Sequence, residues 1–123
     1  METIRQKQVG ELIRRQFSTV LFTEGKYIFG QEALVSITEV KMSADLSTAK
    51  VYLSVFNMLN KQEVILMMED QYPKLKFALH SKLRKQLRSM PELRFYLDET
   101  IEEAFKMEEL FNKLREDKQL GED

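Results

Sequence analysis

Between Lys74 and Arg88 the chain carries Lys74, Lys76, His80, Lys82, Arg84, Lys85 and Arg88 with no acidic residue among them. Cationic side chains this dense repel one another unless an anion offsets them. A phosphate backbone does so, and the counterions it releases add affinity. At helical spacing Leu75, Ala78, Leu79, Leu83, Leu87 and Met90 fill one face, while Lys74, His80, Arg84, Lys85 and Arg88 spread over the other. Packing accounts for the first face. No i,i+4 partner of opposite sign within the helix accounts for the second. The alternative, a solvated face partly neutralised by an acidic C-terminal helix, stays open. Arg5, Lys7, Arg14 and Arg15 either extend the patch or form a wet helix face, and Lys50 sits on the wet side of a strand. The candidate nucleic-acid-binding set is therefore Arg5, Lys7, Arg14, Arg15, Lys50, Lys74, Lys76, Lys82, Arg84, Lys85 and Arg88. Phe77 projects from the middle of the basic face and could stack on an unpaired base. The commoner fate of such a ring is packing under a neighbouring helix, so it is left out of the set.

Other chemistries lack parts. His80 is the only histidine and cysteine is absent, which excludes multi-histidine and thiolate metal sites, a cysteine nucleophile and a disulfide framework. Around His80 stand cations rather than an orienting carboxylate. Asp98, Glu99, Glu102, Glu103, Glu108 and Glu109 cluster in one helical stretch, where the dipole at the helix start favours the first four; no metal-ligand motif stands behind them. Glycines at 10, 25, 30 and 121 match no phosphate-binding loop. The chain reads as a non-enzyme without metal or cofactor.

With 123 residues there is room for one domain, expected at 1–116 with an acidic, frayed tail at 117–123. The net charge of −1 hides an asymmetry: residues 1–97 carry 15 basic and 10 acidic side chains, a net of +5, and residues 98–123 carry 4 and 10, a net of −6. No apolar run approaches the roughly 18 residues of a membrane span. The N-terminus, Met1-Glu2-Thr3-Ile4-Arg5, is polar from the start, so a cytoplasmic protein without a signal peptide is expected, and with nothing resembling a heptad seam, a monomer.

Positioning these residues requires a definite run of elements. Val9, Leu12, Ile13, Phe17, Val20 and Leu21 share one stripe of a helix over 4–22, and Gly25 and Gly30 bracket a connection that a helix cannot easily cross. Val35 and Ile37 alternate on one parity, Val40 and Met42 on the other, which predicts a strand over 33–42 with a bulge near Glu39. After turn residues Ser43–Leu46, the alternation Ala49, Val51, Leu53, Val55 predicts the second strand of an antiparallel hairpin. Asn60 to Glu63 resembles a capping box for a short helix; Pro73 interrupts it or opens a second one over 73–89. Leu93–Leu97 reads as a third strand, and Thr100-Ile101-Glu102-Glu103 as a cap for a last helix to about 116. The order α-β-β-α-α-β-α predicts an α+β fold, a three-stranded sheet with helices on one face, and its first six elements follow the type II K-homology order.

Three stretches together resemble the ribosome-binding factor A family. They are the hairpin containing Asp45-Leu46-Ser47-Thr48-Ala49-Lys50-Val51-Tyr52, the run Lys82-Leu83-Arg84-Lys85-Gln86-Leu87-Arg88-Ser89-Met90-Pro91-Glu92-Leu93-Arg94-Phe95, and the opening Arg5-Gln6-Lys7-Gln8-Val9-Gly10-Glu11-Leu12-Ile13. The resemblance covers about residues 4–115. It implies a K-homology-like domain without a Gly-x-x-Gly loop that binds the small ribosomal subunit through 16S rRNA, with ribosomal proteins as neighbours, and assists late rRNA maturation. It also implies a helix-kink-helix marked by Ala-x-Gly; this chain has Pro73-Lys74-Leu75 there, and Phe29-Gly30-Gln31-Glu32 in place of an Asp-Pro-Arg-Leu-like element. The competing expectation is a protein-interaction module whose basic helix docks an acidic partner. The acidic last helix, through Glu102, Glu103 and Glu109, is expected to discourage non-specific RNA binding or to face basic proteins.

Overall fold

Thr3 and Gln6 close the start of the first helix on each other. The Gln6 amide donates to Thr3 Oγ1 at 3.1 Å and the Thr3 amide to Gln6 Oε1 at 2.7 Å. The computed structural model describes residues 2–120, with the side chains of 101–105 and 117–120 excepted. In it this helix, α1 (Ile4–Phe29), is followed by β1 (Leu34–Met42), β2 (Thr48–Phe56), α2 (Lys61–Asp70), α3 (Tyr72–Leu83), β3 (Glu92–Leu97) and α4 (Thr100–Leu120). The α+β order is as expected, and the strands form one sheet in the order β1-β2-β3. β1 and β2 pair antiparallel, and β3 lies parallel to β2 on its far side.

The parity switch in β1 has the anticipated cause. Ile37 pairs with Leu53 and Glu39 with Tyr52, leaving Thr38 as the extra residue of a bulge. Its hydroxyl donates to Asp98 Oδ2 at 2.6 Å and lies 3.3 Å from the Tyr52 carbonyl, so the bulge is pinned to the end of β3. In the hairpin turn Asp45 Oδ1 accepts from the hydroxyls of Ser43 (2.8 Å) and Ser47 (2.7 Å) and from the Ser47 amide (3.1 Å). These bonds pull the Asp45 carboxyl down to about 2. They also brace the left-handed conformation of Leu46, whose φ is 62°.

α1, α2 and α3 lie on one face of the sheet. From them Val9, Ile13, Phe17, Val20, Val64, Met68, Leu75, Leu79 and Leu83 meet Ala49, Val51, Leu53, Val55, Leu93 and Phe95 in one core. Each large side chain buried there contributes about 1.5–3 kcal/mol. Phe17 stacks on Phe95 with centroids 5.8 Å apart, and Tyr72 meets Phe95 edge-on at 6.1 Å.

Three boundaries, the ends of α1, α3 and α4, differ from expectation. α1 runs on through Gly25 and stops at Gly30, whose φ of 86° suits a glycine. Gly25 does not break the helix; a Cβ there would lie 2.5 Å from the tip of the Phe29 ring one turn on. α3 ends at Leu83, not near Ser89. A turn of 84–86 follows, with the Gln86 and Leu87 amides donating to the Leu83 carbonyl (2.8 and 2.9 Å), and Leu87 still reaches the core. Arg84 and Arg88 would repel at i,i+4 in a longer helix, and Pro91 disfavours helical backbone at Met90. The break between α2 and α3 falls at Gln71, and Pro73 occupies the first turn of α3, where its missing N–H costs nothing.

α4 extends to Leu120, past the expected end near 116, and its described side chains, 106–116, are all exposed. Met107, Leu110, Phe111 and Leu114 make a half-exposed apolar stripe along it. Residues 121–123 of the expected tail, and the Glu102 and Glu103 side chains, lie outside the described residues.

Candidate nucleic-acid interface

The structure sorts the expected cations into three groups. Arg14 and Arg15 share Glu11: Arg14 donates from Nε at 2.9 Å and Nη2 at 2.5 Å, and Arg15 from Nε at 3.3 Å. The two arginines, Arg14 foremost, hold the Glu11 carboxyl at about 2. Lys74 lies 3.6 Å from Glu24 and Lys76 3.2 Å from Glu92. Both acids come from other elements, so tertiary pairing answers part of the charge that pairing within the helix left unexplained. Lys76 also lies 5.5 Å over the Tyr72 ring, and Tyr72 Oη accepts from the Leu93 amide at 2.8 Å. Burial raises the Tyr72 phenol, and the contact with Glu92 raises the Lys76 ammonium. Lys76 thus straps α3 to β3 and is poorly placed to bind a ligand.

Six of the expected cations on the helical side are answered by no acid among the described residues. Arg5, Lys7, Lys82, Arg84, Lys85 and Arg88 are exposed and form no ion pair among the described residues. Packing brings the start of α1 against the segment after α3. Ile4, Arg5, Lys7, Leu12 and Arg15 of α1 and Gln86 and Leu87 of the following turn line a single groove of about 720 Å³. Arg84 and Lys85 therefore stand on a turn held between buried Leu83 and Leu87, with Arg88 just past it, beside the start of α1, instead of along a helix face. The α3 dipole, negative at this end, offsets part of the mutual repulsion of Lys82, Arg84 and Lys85. Phe77, expected under a neighbouring helix, is instead 75% exposed on α3.

Lys50 belongs to neither group. It lies on the face of β2 opposite the helices, in register with Lys41 of β1 and Arg94 of β3. Neither Lys41 nor Arg94 stands out in the sequence. Alternation in each strand puts them on the wet side, but only the strand register, with its bulge, lines them up with Lys50.

The family model described as ribosome-binding factor A matches residues 5–111. A protein of that name from Cytophaga hutchinsonii is 35% identical over 114 residues, covering 93% of this chain and 85% of its own. Among solved structures, the crystal structure of ribosome-binding factor A from Thermus thermophilus superposes with a TM-score of 0.60 at 19% identity, covering 75% of this chain and 94% of its own. A Thermus thermophilus ribosome binding factor A homology model, fitted into a cryo-EM map of a 30S complex, gives 0.55 at 22% identity, covering 71% and 92%. Both share the fold.

Proposed function

This chain belongs to the ribosome-binding factor A family, and from that premise we propose that it is an assembly factor that binds the small ribosomal subunit through its rRNA and assists late 16S maturation. The observation that carries the reading is the set of cations without an ion pair among the described residues: Arg5 and Lys7 line the groove where α1 meets Gln86 and Leu87, and Lys82, Arg84, Lys85 and Arg88 flank those two residues in the chain. The fitting of the Thermus relative into a 30S complex supports the choice of subunit.

In mechanism these cations hold rRNA phosphates, which fixes position and makes affinity fall with salt. Arg14 and Arg15 contribute less because Glu11 already occupies them, and Lys74 and Lys76 because Glu24 and Glu92 do. Selection comes from the shape of the rRNA and from which strands are unpaired. Assistance to maturation is a population shift: the factor favours whichever rRNA arrangement presents phosphates to its basic margin. In this reading the single functional domain is 1–116, the chain acts as a monomer in the cytoplasm, and no catalytic group, metal or cofactor takes part.

Co-sedimentation with mature and immature small subunits across a salt series tests this. Wild type should pellet with subunits, and Arg84→Glu/Lys85→Glu/Arg88→Glu should not, while keeping its circular dichroism. Wild type that pellets with neither particle would overturn the reading and favour an acidic protein partner.

A further inference from the structure

The sheet face turned away from the helices carries two ordered rows. Lys41, Lys50 and Arg94 are consecutive partners across β1, β2 and β3, and all three are exposed. Like charges directly opposite one another destabilise a sheet. Among the described residues none of the three has an ion-pair partner; Lys41 has only the Tyr52 ring, 5.6 Å from its Nζ. Two residues along each strand, on the same face, the next row is Glu39, Tyr52 and Tyr96. The two tyrosine rings stack with centroids 5.6 Å apart, and Tyr96 on the outer strand is 39% exposed.

We propose that this open sheet face is a second RNA-binding surface, taking a short unpaired strand with phosphates along Lys41, Lys50 and Arg94 and a base stacked on Tyr96. The inference rests on the RNA-binding reading above for its ligand class, and uses a surface on the opposite side of the sheet. Rows two residues apart are separated by roughly 6.7 Å, on the order of the reach from a phosphate to its own base. Tyr52 backs Tyr96 and keeps its ring from folding away, so the platform is preorganised. An aromatic on an open sheet beside cations is what sequence-tolerant single-strand binding requires.

The nearby carboxylates fit this orientation. Glu92, two residues before Arg94, is engaged by Lys76 at 3.2 Å. Asp98 accepts from the Thr38 hydroxyl and the Thr100 amide, at 2.6 and 3.0 Å. The Glu39 carboxylate has no hydrogen-bond or ion-pair partner among the described residues. With Lys41, Tyr52 and Asp98 it lines a shallow cleft of about 590 Å³ at the end of the aromatic row. There it repels phosphate and can accept from a base amino group, which fixes which end of the nucleotide lies on which row.

The test uses the full chain and a single-stranded heptaribonucleotide carrying 2-aminopurine at its centre. Wild type should quench the 2-aminopurine emission as the base stacks. Tyr96→Leu should abolish the quench and weaken binding about tenfold, the scale of one lost base–aromatic stack. Lys50→Gln/Arg94→Gln, at exposed positions that do not threaten folding, should weaken binding by a similar factor and make its decline with salt less steep. Wild-type affinity in both variants, with loss only in Arg84→Glu/Lys85→Glu/Arg88→Glu, would sink this surface and leave the helical-side reading standing. No oligonucleotide binding by wild type, with subunit association intact but lost in Lys50→Gln/Arg94→Gln, would mean that the face contacts protein and would also overturn it. If wild type binds neither oligonucleotide nor subunits, both readings fall together.

Discussion

At the scale of single residues, Gln6 does more than its sequence context suggests. Its Oε1 completes the cap of α1, and its Nε2 donates to the Met42 carbonyl at 3.0 Å, tying the helix start to the end of β1 while buried. Gln6→Glu keeps the cap and loses the donor; Gln6→Ala loses both and leaves a buried carbonyl unpaired. Gln6→Ala should cost about 1–3 kcal/mol in urea unfolding, and Gln6→Glu should also destabilise. Glu11 offers a pH test. Its pKa is depressed from 4.5 to about 2, so the stabilisation from its arginines is complete above pH 4.5 and is lost as pH falls through 2. Glu11→Gln should remove that part of the acid-side decline, most visibly at low salt. The same substitution frees Arg14 and Arg15 and should tighten binding to rRNA in co-sedimentation. Much of the site is legible at this scale: the cation run announces itself, and the pairing of Glu11 with Arg14 and Arg15 is present as i,i+3 and i,i+4 spacing. The pairing of Lys74 with Glu24 and of Lys76 with Glu92 is not, because it depends on how α3 lies against α1 and β3.

Among the elements, hydrophobic periodicity together with the cap residues at Asn60 and Thr100 and with Pro73 places the helices and strands in order, and the bulge near Glu39 can be read from the parity switch alone. What sequence does not distinguish is why a glycine is there. Gly10 and Gly25 both lie inside α1, buried, for different reasons. A Cβ on Gly10 would stand 2.7 Å from the Val40 carbonyl oxygen, so this glycine lets helix and strand backbones approach. At Gly25 the obstacle is the tip of the Phe29 ring, which can swing aside. Gly10→Ala should therefore destabilise by about 1–3 kcal/mol through overpacking. Gly25→Ala should come out near neutral, the ring's displacement offset by about 1 kcal/mol of helix propensity. Chemical denaturation of the two variants side by side checks the contrast. The end of α3 escapes a periodicity count because Leu87 keeps helical spacing yet reaches the core from a turn, and spacing alone cannot tell those apart.

Across the whole molecule, charge is partitioned: a net of +5 over residues 1–97 against −6 over residues 98–123. If the helical-side cations meet phosphates, log affinity for single-stranded rRNA segments should fall linearly with log salt. Arg84→Gln/Lys85→Gln/Arg88→Gln should reduce the steepness by up to about 2. A slope unchanged by the triple substitution would remove those residues from the interface. The parallel pairing of β3 with β2 has a temporal consequence. α1 and the β1–β2 hairpin are built from neighbouring segments, whereas β3 must wait for α2 and α3 to be laid down between it and its partner. Closing that long intervening stretch carries an entropic penalty that adjacent strands escape, so β3 should be the last strand to gain hydrogen-exchange protection during refolding. Arg94 and Tyr96 arrive with it. A nascent chain with α1 and the hairpin in place would hold Lys41 and Lys50 in register but neither Arg94 nor the outer ring, and the charge row would become complete only as folding ends.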